Sequence, residues 1–144
     1  VSMDFHTFTE LKDFSGDDKP DGVEAVIEFE DRFGDPTKAS GTFVFELYGF
    51  RKAAPDPRGE RLAYWKGSIQ SLVEQRDRWN RISRTYSFPL GYDRIRTDGT
   101  YVLTAVFHST SGGRVFAQTV LEPQTPETTS DQPATRPSTQ PAVP

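Results

Sequence analysis

The sequence predicts an all-β domain in which about seven antiparallel strands form a β-sandwich. Two observations support this prediction. Several segments alternate between apolar and polar side chains with a period of two residues, and clusters of turn-forming residues separate those segments. No long segment of helical periodicity alternates with the strands, which disfavours a mixed α/β fold.

The clearest alternation lies in residues 23–30, which read Val-Glu-Ala-Val-Ile-Glu-Phe-Glu. Val23, Ala25, Ile27 and Phe29 fall on one face of an extended chain, and three glutamates fall on the other. A helix would bring those glutamates into its core. The pattern therefore predicts a half-buried antiparallel strand.

Three more segments have strong strand patterns. Residues 42–50 place apolar side chains, including Phe45, on one face, and residues 100–109 are apolar or β-branched on both faces, which is typical of a central strand. Residues 114–121 follow a Ser-Gly-Gly turn and are predicted to return as the hairpin partner of 100–109. Weaker strand patterns lie at 5–11, at 61–67, and at 84–90, where Pro89 favours an edge or a bulge.

Residues 68–82 have a different pattern. Ile69, Leu72, Val73 and Arg76 have helical spacing within a polar stretch. We expect a long loop here with one or two turns of helix.

The composition divides the chain of 144 residues into a folded domain, 1–122, and a tail, 123–144. The tail is rich in proline and threonine and has almost no large apolar side chain, so it cannot bury enough surface to offset the entropy lost on ordering. We expect it to be disordered. Tails of this kind are common in proteins that face the cell exterior, which favours a cell-envelope, periplasmic or extracellular location.

Cysteine content and charge exclude several classes of protein. The chain has no cysteine, so it has no disulfide framework, no thiolate nucleophile and no cysteine-bound zinc. Its net charge is −4 and its basic and acidic residues are mixed, which argues against a nucleic-acid partner. No apolar run approaches the roughly 20 residues of a transmembrane helix, although a lipid anchor upstream of Val1 is compatible with the sequence.

One short motif resembles a known family. Residues 98–103, Asp-Gly-Thr-Tyr-Val-Leu, resemble the D-x-G-x-Y-x-C motif at the start of strand F in immunoglobulin domains, with the spacing shifted by one. Leu103 stands where antibody domains have their second cysteine, so the resemblance is to disulfide-free immunoglobulin-like or fibronectin-type domains. It implies that Gly99, Tyr101 and Leu103 have structural roles, and that the ring of Tyr101 packs inside the sandwich while its hydroxyl bonds to the backbone at the turn, an arrangement called a tyrosine corner.

The folded part as a whole also resembles an uncharacterised bacterial envelope lipoprotein domain. This resemblance combines the tyrosine motif with the strand at 84–90 and with the hairpin that ends at Leu121. It implies an exported protein.

Metal binding has two candidate arrangements. His6 and His108 could share a metal only if their strands were neighbours in one sheet. Two acidic loops could bind calcium, but they are expected at opposite ends of the second strand, and solvated turns are the more common role for such residues. The loops contain Asp17, Asp18 and Asp21, and Glu30, Asp31 and Asp35. We therefore expect neither a metal nor another cofactor.

Catalysis lacks a recognisable arrangement. No serine lies in a Gly-x-Ser-x-Gly turn, and neither a Walker loop nor a dinucleotide-binding motif is present. Among the many carboxylates, nothing in the sequence identifies an acid and base pair. We expect a protein that is not an enzyme.

Binding has better candidates among the aromatic and basic residues. Four aromatic residues could contact a partner protein or a glycan, although Trp65 is predicted to face the core and Trp79 to plug one end of the sandwich. A local basic concentration surrounds Trp79 and could meet an acidic partner, unless Asp77 and nearby acidic loops neutralise it. The aromatic candidates are Tyr64, Trp65, Trp79 and Tyr92; the basic residues are Arg76, Arg78, Arg81 and Arg84.

These observations favour a non-catalytic structural or protein-interaction domain of an exported, cell-envelope protein. The alternative is a carbohydrate-binding module that uses exposed aromatic side chains. The sequence does not identify the protein or glycan partner.

Overall fold

The computed structural model describes residues 1–123, so the predicted tail, 123–144, lies outside the described residues except for Pro123. The described part contains ten β-strands and one α-helix. Their bounds are β1 Ser2–Phe5, β2 Glu10–Lys12, β3 Gly22–Glu30, β4 Pro36–Thr37, β5 Gly41–Phe50, β6 Arg58–Ser68, α1 Leu72–Arg78, β7 Trp79–Asn80, β8 Thr85–Gly91, β9 Tyr101–Ser109 and β10 Arg114–Leu121.

The strands form two antiparallel sheets, which confirms the predicted β-sandwich. One sheet has the order β1-β3-β8-β7, and β2 and β4 also pair with β3. The other sheet has the order β10-β9-β5-β6. The chain changes sheets between β4 and β5, between β6 and β7, and between β8 and β9.

All seven predicted strand regions contain strands, with one break. The region 5–11 is divided into the end of β1 and the start of β2, because the chain turns where the Thr9 N–H donates to the His6 carbonyl, 2.9 Å away. The strands that exceed the predicted seven are short: β4 and β7 have two residues each. Pro89 lies where β8 has β3 on one side and extends beyond the two-residue β7 on the other, in agreement with the predicted edge position.

The inward faces of both sheets form one core. Ile27, Phe45 and Leu103 have exposed fractions of 0%. Aromatic rings join the layers: the ring centroids of Phe29 and Phe107 are 4.7 Å apart, and those of Phe43 and Phe88 are 4.9 Å apart. Burial of side chains this large provides the main stabilisation of the sandwich and fixes the positions of its loops.

The tyrosine corner expected from the sequence is present at the start of β9. Tyr101 is buried, and its hydroxyl oxygen accepts a hydrogen bond from the backbone N–H of Arg96 at 2.8 Å. The ring lies directly over Gly99, where an added Cβ would be 2.8 Å from the tyrosine hydroxyl oxygen. The hydrogen bond fixes the loop that brings the chain from β8 to β9.

The strand registers divide the connecting segments between two ends of the sandwich. Residues 31–35, 38–40, 69–84 and 110–113 lie at one end, called here the helix end because it includes α1. Ile27 pairs with Tyr86 and Gly41 pairs with Ser109 near this end. Residues 13–21, 51–57 and 92–100 lie at the opposite end.

Replacing Tyr101 with phenylalanine removes the hydroxyl that closes the corner and leaves the Arg96 N–H without that partner. The free energy of unfolding should fall by about 1–2 kcal/mol, measured by urea denaturation. Tyr64→Phe is the matched control because Tyr64 is exposed, and it should change stability little. Equal stability of the Tyr101→Phe variant and the unmodified chain would contradict the role of the corner.

Candidate functional site

Helix α1 is held against the sandwich by the side-chain amide of Gln75. Its Nε2 donates to the carbonyl oxygens of Ala39 and Ile69, both at 2.7 Å, and its Oε1 accepts from the Tyr86 hydroxyl at 2.7 Å. The Ala39 N–H donates to the Tyr86 hydroxyl oxygen at 3.1 Å. This network joins α1, β8 and the segment before β5 at a partly buried position, where hydrogen bonds are stronger than in water and costly to leave unmade.

The start of α1 is closed by a capping box. The Ser71 hydroxyl oxygen accepts from the Glu74 N–H at 3.1 Å, and the Glu74 carboxylate accepts from the Ser71 N–H at 3.0 Å. No residue of this seven-residue helix is buried. The helix therefore depends on its cap and on Gln75 for its position, since a helix this short is unstable in isolation.

Trp79 follows α1 and partly plugs the helix end, in agreement with the sequence prediction. Its ring is half-buried and meets the Tyr86 ring at a centroid distance of 4.9 Å and an angle of 61°. The Lys38 ammonium lies 5.2 Å from the centroid of the indole ring, in a cation–π contact. Lys38 therefore covers a ring face that a planar ligand would need.

A shallow depression surrounds Trp79 and is lined mainly by cationic and apolar side chains. Its volume is about 330 Å³, and its lining residues are Lys38, Leu72, Gln75, Arg76, Trp79 and Arg81. Arg76 and Arg81 are exposed, and within residues 1–123 neither makes an ion pair. The structure thus brings together three of the predicted binding residues.

Asp77 does not neutralise these arginines through an ion pair within the described residues. It lines a second depression of about 650 Å³, together with Glu74 and Arg78. Arg76 lines the Trp79 depression instead. The two adjacent residues thus point to different sides of α1, as the 100° rotation per helical residue requires.

The other predicted binding residues are placed elsewhere. The Arg78 guanidinium lies over the ring of Phe88, 5.2 Å from its centroid. Arg84 donates from Nη2 to the Pro36 carbonyl at 3.1 Å, which ties the β7–β8 turn to β4. Tyr92 packs against the core at the opposite end of the sandwich, so it does not share the Trp79 surface.

The remaining aromatic candidates also have partners. Trp65 is half-buried against the core, as predicted, and its indole N–H donates to the Gly91 carbonyl of the facing sheet at 3.0 Å. Tyr64 is 57% exposed, but the Arg61 guanidinium lies 5.3 Å from its ring centroid.

The candidate metal ligands are separated. His6 follows β1 in one sheet, and its Nδ1 accepts from the Phe8 N–H, whereas His108 lies on β9 in the other sheet. The two acidic loops lie at opposite ends of β3, as the sequence indicated. Within the described part of the chain, no three His, Cys, Asp or Glu residues are grouped closely enough to hold a metal ion.

Within residues 1–123, every carboxyl group with a resolved shift has its pKa below the ordinary value. The pKa of the Glu74 carboxyl is lowered first by the hydrogen bond from the Ser71 backbone N–H and then by the one from the Ser68 hydroxyl. The pKa of the Glu46 carboxyl is lowered first by its hydrogen bond from Arg61. Hydrogen bonds that favour the ionised form suit structural carboxylates, whereas a general acid requires a raised pKa.

Sequence reasoning missed several residues of the depression. Lys38 and Gln75 carried no local signal, because their roles depend on contacts with residues distant in the chain. Leu72 was treated as part of a helical apolar pattern, but it is 66% exposed. The signal that could have identified Leu72 as a surface residue was its place on a helix too short to have a buried face.

A scan against protein-family models finds no matching family, and searches of curated proteins and of solved structures find no match. In the part of the chain that the structure describes, no helix is long and apolar enough to cross a membrane.

Replacing Gln75 with alanine should release α1 while leaving the sandwich folded. The Tyr86 hydroxyl would lose the Gln75 acceptor, and the Ala39 and Ile69 carbonyls would lose the Gln75 donor. The amides of residues 72–78 should therefore exchange with deuterium at least tenfold faster, with β3 and β9 nearly unchanged. Gln70→Ala is the matched control, since that exposed side chain is outside the network. Unchanged exchange in α1 would mean that the helix is held by other contacts.

The capping box makes the start of α1 sensitive to acid. Because the folded pKa of Glu74 lies below its ordinary value of 4.5, the stabilisation is fully present above that pH and is lost as the pH falls through the folded pKa. The ¹³Cα shifts of residues 72–78 should move toward coil values in this range. Glu74→Gln keeps a hydrogen-bond acceptor but does not titrate, so it should remove this pH dependence; an identical titration in both proteins would contradict the assignment.

Proposed function

We propose that this chain is a non-catalytic interaction domain with an immunoglobulin-like sandwich, and that its helix end contacts an anionic partner. The observation that carries the proposal is the depression around Trp79. Lys38, Arg76 and Arg81 line it together. The helix that presents Arg76 is fixed by the Gln75 network, so the cations need little ordering when a partner binds.

The immunoglobulin-like assignment rests on the strand order. β1, β3 and β8 occupy one sheet in the manner of strands A, B and E, and β5, β9 and β10 occupy the other in the manner of C, F and G. β6 adds a strand beside β5, and the tyrosine corner lies at the start of β9. Sandwiches of this kind serve many unrelated functions, so the functional proposal depends on the surface.

The non-catalytic assignment is supported by the environment of the titratable groups. The depression of about 650 Å³ beside α1 is lined by Lys66, Glu74, Asp77 and Arg78 but by no histidine. Glu74 serves the helix cap, and its pKa is shifted further from neutrality than that of an ordinary glutamate. Proton transfer by a carboxyl group near neutral pH would require a raised pKa.

The carbohydrate-binding alternative receives less support from the aromatic side chains. Sugar stacking needs an open ring face, but Lys38 lies over Trp79 and Arg61 lies over Tyr64. Trp65 is engaged with Gly91 across the sandwich. A protein or lipid partner with negative charge fits these positions better.

Export to the cell envelope, in a periplasmic or extracellular setting, is part of the proposal and rests on the composition of the tail. A lipid anchor upstream of Val1 is compatible with the same surface. Val1 and Lys38 line one depression, of about 420 Å³, so a preceding segment would join the domain at the helix end.

A photo-crosslinking amino acid at position 72 tests this contact surface in the cells from which the sequence comes. Leu72 lines the Trp79 depression, and position 116 on β10 provides an exposed control site. We expect crosslinked adducts between position 72 and a protein or lipid partner, and we expect them to disappear in the Arg76→Glu/Arg81→Glu variant. The matched charge reversal at the opposite end, Lys52→Glu/Arg94→Glu, should retain them. Adducts from position 116 alone, or from neither position, would overturn the proposal.

A further inference from the structure

Two turns at the helix end each expose a large apolar side chain at their tip. Phe33, in the β3–β4 turn, is 76% exposed, and Ile82, in the β7–β8 turn, is 92% exposed. The turns are neighbours because β3 pairs antiparallel with β8 and because Arg84 of the second turn bonds to Pro36 beside the first. Exposed tips of this kind protrude and do not form a pocket.

The start of α1 adds two more apolar side chains to the same end. Leu72 is 66% exposed and Val73 is 64% exposed. Large apolar residues grouped at one end of a small domain are typical of a docking surface, whereas scattered ones need no explanation. Phe33, Ile82, Leu72 and Val73 are called here the apolar tips.

Arginine directly precedes each of the two turn residues. Arg32 precedes Phe33, with its guanidinium 5.0 Å from the phenylalanine ring centroid, and Arg81 precedes Ile82. Within the segments that form the helix end, basic residues outnumber acidic ones. The basic residues are Arg32, Lys38, Arg76, Arg78, Arg81 and Arg84; the acidic residues are Asp31, Asp35, Glu74 and Asp77.

The segments at the opposite end have the reverse balance. Four aspartates and one lysine lie in residues 13–21, and Asp56, Asp93 and Asp98 lie in the two other loops, which contain four further basic residues. The domain is therefore polarised along its length. A negatively charged surface would attract the helix end and repel the other end, which gives the domain one orientation.

We propose that the helix end docks on an anionic lipid bilayer, with the apolar tips in the headgroup region and the surrounding arginines and Lys38 against lipid phosphates. This inference rests on the proposed function and names its partner. Apolar residues flanked by cations are the combination that binds the interface of anionic membranes. An acidic peptide fits less well, because Phe33 and Ile82 do not line the Trp79 depression and Lys38 lies over the indole ring.

The backbone at Arg84 makes glycine a suitable replacement when the charge at this position is to be removed. Its φ angle is +59°, in the left-handed region that favours glycine. Glycine at this position would relieve the backbone and remove the charge. Arg84→Gly also removes the hydrogen bond to the Pro36 carbonyl, so relief of the backbone should offset that loss and leave the stability close to that of the unmodified chain.

Sedimentation with vesicles tests the proposal. The full chain should bind vesicles of phosphatidylcholine and phosphatidylglycerol in a 3:1 ratio, bind pure phosphatidylcholine weakly, and lose affinity as salt is raised. We expect Phe33→Ser/Ile82→Ser to weaken binding by at least tenfold and Arg84→Gly to weaken it several-fold, with a melting temperature close to that of the unmodified chain. The matched controls are Phe116→Ser, which replaces an exposed apolar residue on β10, and Arg94→Gly, at the opposite end. Both variants should bind normally.

Three outcomes would overturn the lipid assignment. The first is no binding to phosphatidylglycerol vesicles, and the second is an equal loss in the Phe116→Ser control. The third is binding that tolerates Phe33→Ser/Ile82→Ser and is competed fully by soluble polyglutamate, which would indicate an acidic polypeptide. Protein adducts at position 72 without vesicle binding would remove the lipid proposal alone, whereas absence of any adduct there would remove the contact surface itself.

Discussion

The hydrogen-bond network between Gln75, Tyr86 and Ala39 is the interaction on which the helix end depends. Tyr86 belongs to the core, with an exposed fraction of 0%, yet its hydroxyl reaches the edge of the sandwich and bonds to the amide of Gln75. A seven-residue helix without a buried side chain has little stability of its own. Its position, and that of Arg76 beside Trp79, therefore depends on this partly buried network together with the helix cap.

The same network explains why Trp79 does not serve as an open stacking surface. Because α1 ends against Tyr86, the indole ring that follows is pressed edge-on to the tyrosine, and the Lys38 ammonium lies over its face. The aromatic group stabilises the end of the sandwich, and the cations around it remain available. The contact chemistry of this end is thus set by positive charge and by the apolar tips.

The local sequence pattern was enough to predict the sandwich, because the alternation within each strand shows by itself which side chains face the core. Val23, Ile27 and Phe45 alternate with polar neighbours, and burial of large side chains outweighs other local preferences. The role of Tyr101 was expected from the resemblance of residues 98–103 to the immunoglobulin motif, and the structure gives its partner as Arg96, five residues away. The break between β1 and β2 could not be predicted, because it depends on a local turn within a segment of strand-like composition.

The candidate site was only partly predictable for a related reason. Arg76, Trp79 and Arg81 are close in sequence, so their proximity was visible. Lys38 and Gln75 join them through contacts across tens of residues, which depend on how β5 and β8 are placed by the whole sandwich. The exposure of Phe33 and Ile82 depends on the turns at the ends of β3 and β7. The alternation of apolar and polar side chains does not specify the geometry of those turns.

The most direct test of this account is ¹⁵N relaxation of the backbone amides in residues 72–84. If the Gln75 network fixes α1 to the sandwich and the Arg84–Pro36 bond fixes the β7–β8 turn, their order parameters should be near 0.85, about the value of rigid backbone. Values below about 0.6 across α1, with rigid strands in the same protein, would contradict a fixed helix end and leave the cations around Trp79 without a defined arrangement.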